Sequence, residues 1–163
     1  MKQSIQKTLL LSILLVLTFV SISQEKEKKV LIIGWDGVRS DCLELANTPN
    51  MDNLFSQGIS TLWAYNPNVT VSGPTWSTIL TGVWQNKHGV SNNSYTNSQF
   101  NTYPYFPTRA KAQNPDLYCV HICAWSPMTE NVYNHGFDNM IIPTWGDEYC
   151  SLAAQAQLAN PDL

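Results

Sequence analysis

The sequence has few charged side chains and no excess of positive charge. Charged residues make up 13% of the 163 residues, with nine Lys and Arg against twelve Asp and Glu. No basic patch with interleaved aromatic side chains occurs, which argues against nucleic acid as a scaffold-type partner. A mildly negative chain can still take an anionic substrate, because a bound metal ion reverses the local field.

The sequence also lacks an apolar run long enough to span a membrane, which takes about 20 residues. The apolar run over residues 9–20 follows two lysines and precedes a small-x-small triplet at 21–23. This order predicts a signal peptide over residues 1–23, a mature chain over residues 24–163, and export to the periplasm or the medium. No membrane attachment is expected after cleavage. An uncleaved signal anchor is the alternative.

Cysteines are few and are not spaced for a zinc site. Cys119 and Cys123 are predicted to share one strand four residues apart, which separates them by about 13 Å. That distance is too long for a mutual disulfide or for one shared metal ion. Both are expected to be small buried hydrophobic residues, while the pairing of Cys42 and Cys150 stays open.

Short apolar runs alternate with helix-like segments along the rest of the chain. Strands are predicted at residues 30–34, 59–65, 117–125 and 140–142, and helices at 48–58, 74–81, 108–113 and 147–160. This alternation predicts an α/β fold. The last helix closes at Asn160-Pro161-Asp162-Leu163, which is typical of the entry to a further strand. We therefore expect a sheet that is incomplete at the C-terminus, in a fragment of a longer protein.

Two oxygen-bearing side chains stand where α/β enzymes hold anionic ligands. Asp36 follows the first predicted strand, and functional crevices of open α/β sheets lie at the carboxyl ends of the strands. Ser72 comes just before a helix whose free N–H groups favour a phosphate. Capping or turn roles are the plainer interpretation of both residues. No His or Lys stands near Ser72 in sequence, so its hydroxyl would need a metal ion, held partly by Asp36, for activation.

An ordered set of short motifs carries a family resemblance. The set comprises Ile33-Gly34-Trp35-Asp36-Gly37-Val38-Arg39, Thr48-Pro49-Asn50, Ser72-x-Pro74, Leu80-Thr81-Gly82 and His88-Gly89-Val90. It resembles the N-terminal half of nucleotide pyrophosphatases/phosphodiesterases and related alkaline phosphatase-like enzymes, well over residues 29–93 and more weakly to residue 163. The resemblance implies an alkaline phosphatase-like sheet with helices on both faces.

The resemblance also implies roles for individual residues. Asp36 matches a metal ligand, and Ser72 matches the nucleophile, which also ligates metal and is usually Thr in the phosphodiesterase branch. Asn93 matches an Asn that donates a hydrogen bond to a phosphoryl oxygen. His88 matches a His-Gly turn and is expected to be structural. His121 is interpreted as a core residue, and His135 receives no role.

The family chemistry implied is hydrolysis of a small-molecule phosphate ester through a phosphoseryl intermediate. It uses two divalent metal ions, with zinc expected, and most of their ligands lie in later motifs outside this sequence. The sequence does not indicate an oligomeric state.

Two alternatives stay open at this stage. A sulfatase-like hydrolase would carry Ser-x-Pro-x-Arg, but Trp76 stands where that Arg is expected. No Arg stands near Ser72, which also disfavours a phosphate monoester, since Arg is suited to forked recognition of oxyanions. Trp76 would instead form an apolar wall that suits a diester, or simply pack the helix against the core. The other alternative is an inactive or ligand-binding truncated member.

Overall fold

The computed structural model describes residues 28–66, 69–132, 135–144 and 146–160. It divides into a unit that ends at Ile33 and a second unit that begins at Gly34, and each is described by itself. In the first unit the described residues are 28–33, which form no helix or strand and are exposed. The predicted signal peptide lies outside the described residues.

In its described residues, the second unit is mainly helical, with one small sheet. The helices are α1 (Ser40–Leu45), α2 (Pro49–Gln57), α3 (Ser72–Thr81), α4 (Gln85–His88), α5 (Phe106–Gln113), α6 (Ser126–Val132) and α7 (Asp147–Ala159). Strands β1 (Val120–Ile122) and β2 (Asn139–Ile141) pair in parallel, with His121 opposite Met140. Because α6 connects the two strands, they form a β-α-β unit, the element of α/β folds.

The predicted sheet is larger than the one observed. The chain at 30–33 and 59–65 forms no strand, and within the described part of the chain only β1 and β2 pair. Ile59 and Trp63 are 105% and 92% exposed. A strand forms only when a neighbouring strand takes up its backbone N–H and C=O groups, and no such neighbour is present in the described residues. The mixed helix and strand content with a parallel sheet is compatible with an alkaline phosphatase-like fold, but a broad sheet covered on both faces is not observed in the residues that the structure describes.

Local signals account for the helix limits. Pro49 occupies the first turn of α2, where a missing N–H costs nothing. Gly82 ends α3 in the left-handed conformation at φ 70°, which glycine adopts without steric cost. Helix α3 begins two residues earlier than predicted, at Ser72 instead of Pro74. Among the described helices, none combines the length and the apolar character needed to cross a membrane.

The core joins α3 to the long loop that follows α4 and to α6. Its buried members are Leu80, Val90, Tyr95, Phe100, Tyr105, Met128 and Val132. Among the described residues, Phe100 and Tyr105 are the closest aromatic pair, with ring centroids 4.6 Å apart. This core anchors the loop that carries Asn93 against α3, and it thereby positions the residues of the candidate site.

All four cysteines are free thiols, so Cys119 and Cys123 do not bond to each other, as predicted. The predictions that these two share a strand and are buried are wrong, because β1 spans only Val120–Ile122 between them and both are half-buried. Cys42 is exposed and Cys150 is half-buried.

Candidate active site

The start of α3 presents Ser72. Val71 precedes the helix in an extended conformation and makes no side-chain cap bond, and its carbonyl accepts a hydrogen bond from the Thr75 N–H at 3.1 Å. Ser72 is therefore the first helical residue, not a capping residue. Its hydroxyl does not cap the helix backbone and instead donates a hydrogen bond to Asp36 Oδ2 at 2.7 Å. The capping interpretation of Ser72 is wrong for this structure.

A second donor from the same helix reaches the same carboxylate oxygen. Trp76 Nε1 lies 3.2 Å from Asp36 Oδ2. Ser72 and Trp76 are four residues apart, which places them one above the other on one face of an α-helix. Asp36, 36 residues before Ser72 in the chain, thus accepts two side-chain hydrogen bonds from a single helix face.

These donors favour the ionised form of Asp36. The hydrogen bond from Ser72 is the largest influence and lowers the pKa of Asp36, and the bonds from Trp76 and from the Gly37 backbone act in the same direction. Partial burial opposes them, but the net pKa lies below the ordinary value of 3.8. Asp36 is therefore ionised at neutral pH, as a metal ligand must be.

Asn93 closes the other side of the α3 start. Its Oδ1 accepts a hydrogen bond from the Gly73 N–H at 2.8 Å, one of the donors that a helix start leaves unpaired. Within the part of the chain that the structure describes, its Nδ2 amide makes no hydrogen bond. Asn93 is exposed, so this amide can donate a hydrogen bond to a ligand at the N-terminus of α3.

Close backbone approach explains two glycines at the site. A Cβ on Gly73 would lie 2.6 Å from the Asn92 carbonyl oxygen, so only glycine lets α3 pack this tightly against the loop. A Cβ on Gly34 would lie 2.2 Å from Cη2 of Trp76. The Trp76 ring therefore rests directly on the backbone that leads to Asp36.

The histidines have structural environments. His88 is fully buried; its Nδ1 accepts the Val90 N–H at 3.1 Å, so the proton is on Nε2, 3.0 Å from Thr78 Oγ1. His121 is 8% exposed, and burial lowers its pKa to about 4. The structural interpretations of His88 and His121 agree with these contacts. His135 packs edge-on against Tyr105, with ring centroids 5.2 Å apart.

The oxygen atoms of Asp36 and Ser72 suit a divalent cation, since carboxylate and hydroxyl oxygens are hard ligands. Among the described residues there is no group of three or more His, Cys, Asp or Glu that could hold a metal ion. Zinc sites use three or four protein ligands. The pair therefore fits as part of a metal site and does not form a complete one.

Comparison with known proteins extends this picture. The family model for type I phosphodiesterase / nucleotide pyrophosphatase matches residues 30–148. The chain belongs to this family. The match covers the Asp36 loop, α3 and the Asn93 loop, which make up the whole of the candidate site. No solved structure gives a significant match.

Relatives of this phosphodiesterase family are similar over part of their length. The human ectonucleotide pyrophosphatase/phosphodiesterase family member 7 is 31% identical over 123 residues, which cover 76% of this chain and 22% of that protein. The mouse bis(5'-adenosyl)-triphosphatase enpp4 is 28% identical over 76 residues, which cover 47% of this chain and 17% of that protein. The chain thus spans about a fifth of the length of these relatives.

Sequence reasoning placed Asp36, Ser72 and Asn93 in one site, and the structure brings all three to the start of α3. The role of Trp76 as a hydrogen-bond donor to Asp36 was not predicted from the sequence. The four-residue spacing from Ser72 was the available signal, because that spacing puts both side chains on one helix face.

Proposed function

We propose that the protein hydrolyses small-molecule phosphate diesters with Ser72 as the nucleophile. The observation that carries this proposal is the Ser72 hydroxyl at the start of α3, bonded to an ionised Asp36 at 2.7 Å. Membership of the phosphodiesterase family supports it. So does the free amide of Asn93 beside the same helix start.

In the first step Ser72 Oγ attacks phosphorus. The Oγ–P bond forms, the bond from phosphorus to one ester oxygen breaks, and the first alcohol leaves. The Ser72 proton passes to solvent, and the leaving alkoxide takes a proton from solvent. Asp36 orients the hydroxyl and is a weak base because its pKa is lowered.

In the second step water attacks the phosphoseryl diester. The Oγ–P bond breaks, Ser72 recovers its proton, and a phosphate monoester is released. Asn93 Nδ2 would donate to a phosphoryl oxygen as negative charge builds in each transition state. Donors of this kind are worth about 3–4 kcal/mol in related cases.

The resemblance implies two divalent metal ions, with zinc expected. Asp36 and Ser72 would hold one of them, and its chemistry when bound is to lower the pKa of the Ser72 hydroxyl and to neutralise developing charge. The remaining ligands would come from outside this sequence, so we propose that the full site belongs to a longer form of the protein. Two ligands alone predict weak zinc binding by the 163-residue chain.

Trp76 favours a diester over a monoester or a sulfate, as does the lack of an Arg close to Ser72 in the sequence. A diester carries one negative charge and an organic group, so it gains from an apolar surface and has less need of a guanidinium. Half-buried Trp76 lies beside Asp36 and provides such a surface. Relatives named as nucleotide pyrophosphatases and a bis(5'-adenosyl)-triphosphatase make nucleotides the first substrates to test.

The test compares hydrolysis of bis(4-nitrophenyl) phosphate, 4-nitrophenyl phosphate and 4-nitrophenyl sulfate, with zinc added. The proteins are this chain, the longest natural form that contains it, Ser72→Ala, and Ser56→Ala as a control on exposed α2. We expect the diester to be preferred, Ser72→Ala to lose activity by at least about 10³-fold, and Ser56→Ala to match the wild type.

Undiminished turnover by Ser72→Ala would overturn the nucleophile. Preference for the sulfate would favour the sulfatase-like alternative. No zinc binding and no turnover in the longer form would favour an inactive or ligand-binding member.

We also propose that the protein is exported, on the strength of the N-terminal sequence pattern. N-terminal sequencing of the secreted or periplasmic protein should begin at Gln24. An intact Met1 in the cytoplasmic fraction would contradict export.

A further inference from the structure

We propose that Trp76 is a positioning residue that holds the Asp36 carboxylate in place while Ser72 reacts. The inference rests on the proposed function. Its starting point is that two donors share one acceptor: Ser72 Oγ at 2.7 Å and Trp76 Nε1 at 3.2 Å both bond Asp36 Oδ2.

The two donors behave differently during the reaction. Ser72 must lose its hydroxyl proton to attack, and once its oxygen is bonded to phosphorus it can no longer donate. Asp36 then loses the stronger of its two side-chain hydrogen bonds. The indole N–H of Trp76 is a donor only and does not titrate. It is the side-chain donor that remains on Asp36 Oδ2 throughout the cycle.

The Trp76 ring is fixed well enough to do this. It packs against the buried core cluster. The Gly34 backbone also lies so close that an added Cβ would stand 2.2 Å from Cη2 of the ring. Because the core and the backbone already restrict the ring, its N–H stays directed at Asp36 with no further loss of side-chain conformational entropy during turnover. The same geometry places the carboxylate of a proposed metal ligand before any metal arrives, as supporting hydrogen bonds do at metal sites.

The competing explanation is that Trp76 only fills space. The two explanations differ in a single atom, so the decisive variant keeps the ring and removes the N–H. Replacement of Trp76 by β-(3-benzothienyl)alanine does this, because sulfur takes the place of the indole nitrogen. Trp76→Phe is a second variant, and Gly34→Ala displaces the ring without altering any donor. Trp63→Phe is the matched control, since Trp63 is 92% exposed.

The first measurement needs no metal and no substrate. Hydrogen exchange of the indole proton, followed by NMR, should be slower for Trp76 than for Trp63, and it should become faster in Asp36→Ala. Equal exchange of the two indoles, or no change in Asp36→Ala, would overturn the proposal.

The second measurement is zinc affinity in the longest natural form, by competition with a chelator, together with the melting temperature. We expect the benzothienyl variant to bind zinc about 10- to 100-fold more weakly, the effect of losing a supporting hydrogen bond to a metal ligand. Its melting temperature should match that of the wild type, and excess zinc should restore much of its turnover. Trp63→Phe should keep wild-type affinity.

The outcomes separate the two proposals. If the wild type binds zinc and hydrolyses the diester while the benzothienyl variant has unchanged affinity, Trp76 is a packing residue and the positioning role is wrong. A loss of affinity seen only in Trp76→Phe and Gly34→Ala would lead to the same conclusion. If the wild type neither binds zinc nor hydrolyses any ester, the proposed function itself fails.

Discussion

At the scale of single residues, Asn93 combines two tasks in one side chain. Its Oδ1 accepts the Gly73 N–H at 2.8 Å and thereby holds the loop on the start of α3. Its Nδ2 is the group that would meet a phosphoryl oxygen. Because the two functions belong to different atoms of the amide, a substitution can remove one and keep the other.

Asn93→Asp is the substitution that makes this separation. The carboxylate keeps an acceptor for Gly73 but replaces the donor with a negative charge, so folding should be retained while turnover falls about 10²–10³-fold. Asn93→Ala should lower both turnover and melting temperature, because the Gly73 N–H loses its partner. Melting curves and diester hydrolysis of both variants test this. Wild-type turnover by Asn93→Asp would show that the amide donor has no part in the reaction.

At the scale of elements, all four predicted helices are present, three further helices (α1, α4 and α6) were not predicted, and two of the four predicted strands are absent from the described residues. Helix limits depend on local signals such as Pro49 at the first turn of α2 and Gly82 at the end of α3. Strand formation depends on a distant partner, and the apolar run at 59–65 has none among the described residues. Asp36, Ser72 and Asn93 could be predicted because they match positions in a series of motifs that resembles the family. Trp76 was missed because its bond to Asp36 joins residues 40 positions apart.

Strand β1 should make the stability of the protein depend on pH. His121 is buried in β1 near Phe137, and burial lowers its pKa to about 4 from 6.5. The unfolded chain therefore binds a proton at pH values where the folded chain does not. Stability from this residue is full above pH 6.5 and falls as the pH drops toward 4, by about 3 kcal/mol in total.

Chemical denaturation between pH 7 and pH 4 checks this expectation, with His121→Gln as the comparison. The variant stays neutral throughout, so its free energy of unfolding should fall less steeply over that interval. Identical slopes for the two proteins would mean that His121 is hydrated or already charged in the folded state.

At the scale of the whole molecule, several large apolar side chains face solvent in both units. Val30 and Ile33 are 87% and 69% exposed in the first unit, and Ile59 and Trp63 are more exposed still in the second. Side chains in this state add little to stability, because the apolar area they bury is small. They do provide surface to which a hydrophobic dye can bind.

The double variant Ile59→Ser, Trp63→Ser tests this property of the second unit. Binding of an anilinonaphthalene dye should decrease, and the melting temperature should stay within about 2 °C of the wild type, as expected for surface substitutions. A marked fall in melting temperature would show that these side chains are covered in solution. A melting temperature that changes between two protein concentrations would show that self-association covers these side chains.

The bond between Trp76 and Asp36 also gives the protein an intrinsic optical reporter. Indole emission responds to a charge that moves or is neutralised beside the ring nitrogen, and Asp36 Oδ2 lies 3.2 Å from that nitrogen. Protonation of the Asp36 carboxylate, or binding of a ligand to it, will therefore change the fluorescence of Trp76, one of the six tryptophans. The difference spectrum between the wild type and Trp76→Phe would isolate that signal, so occupancy of the site could be followed in real time without a label or a chromogenic substrate.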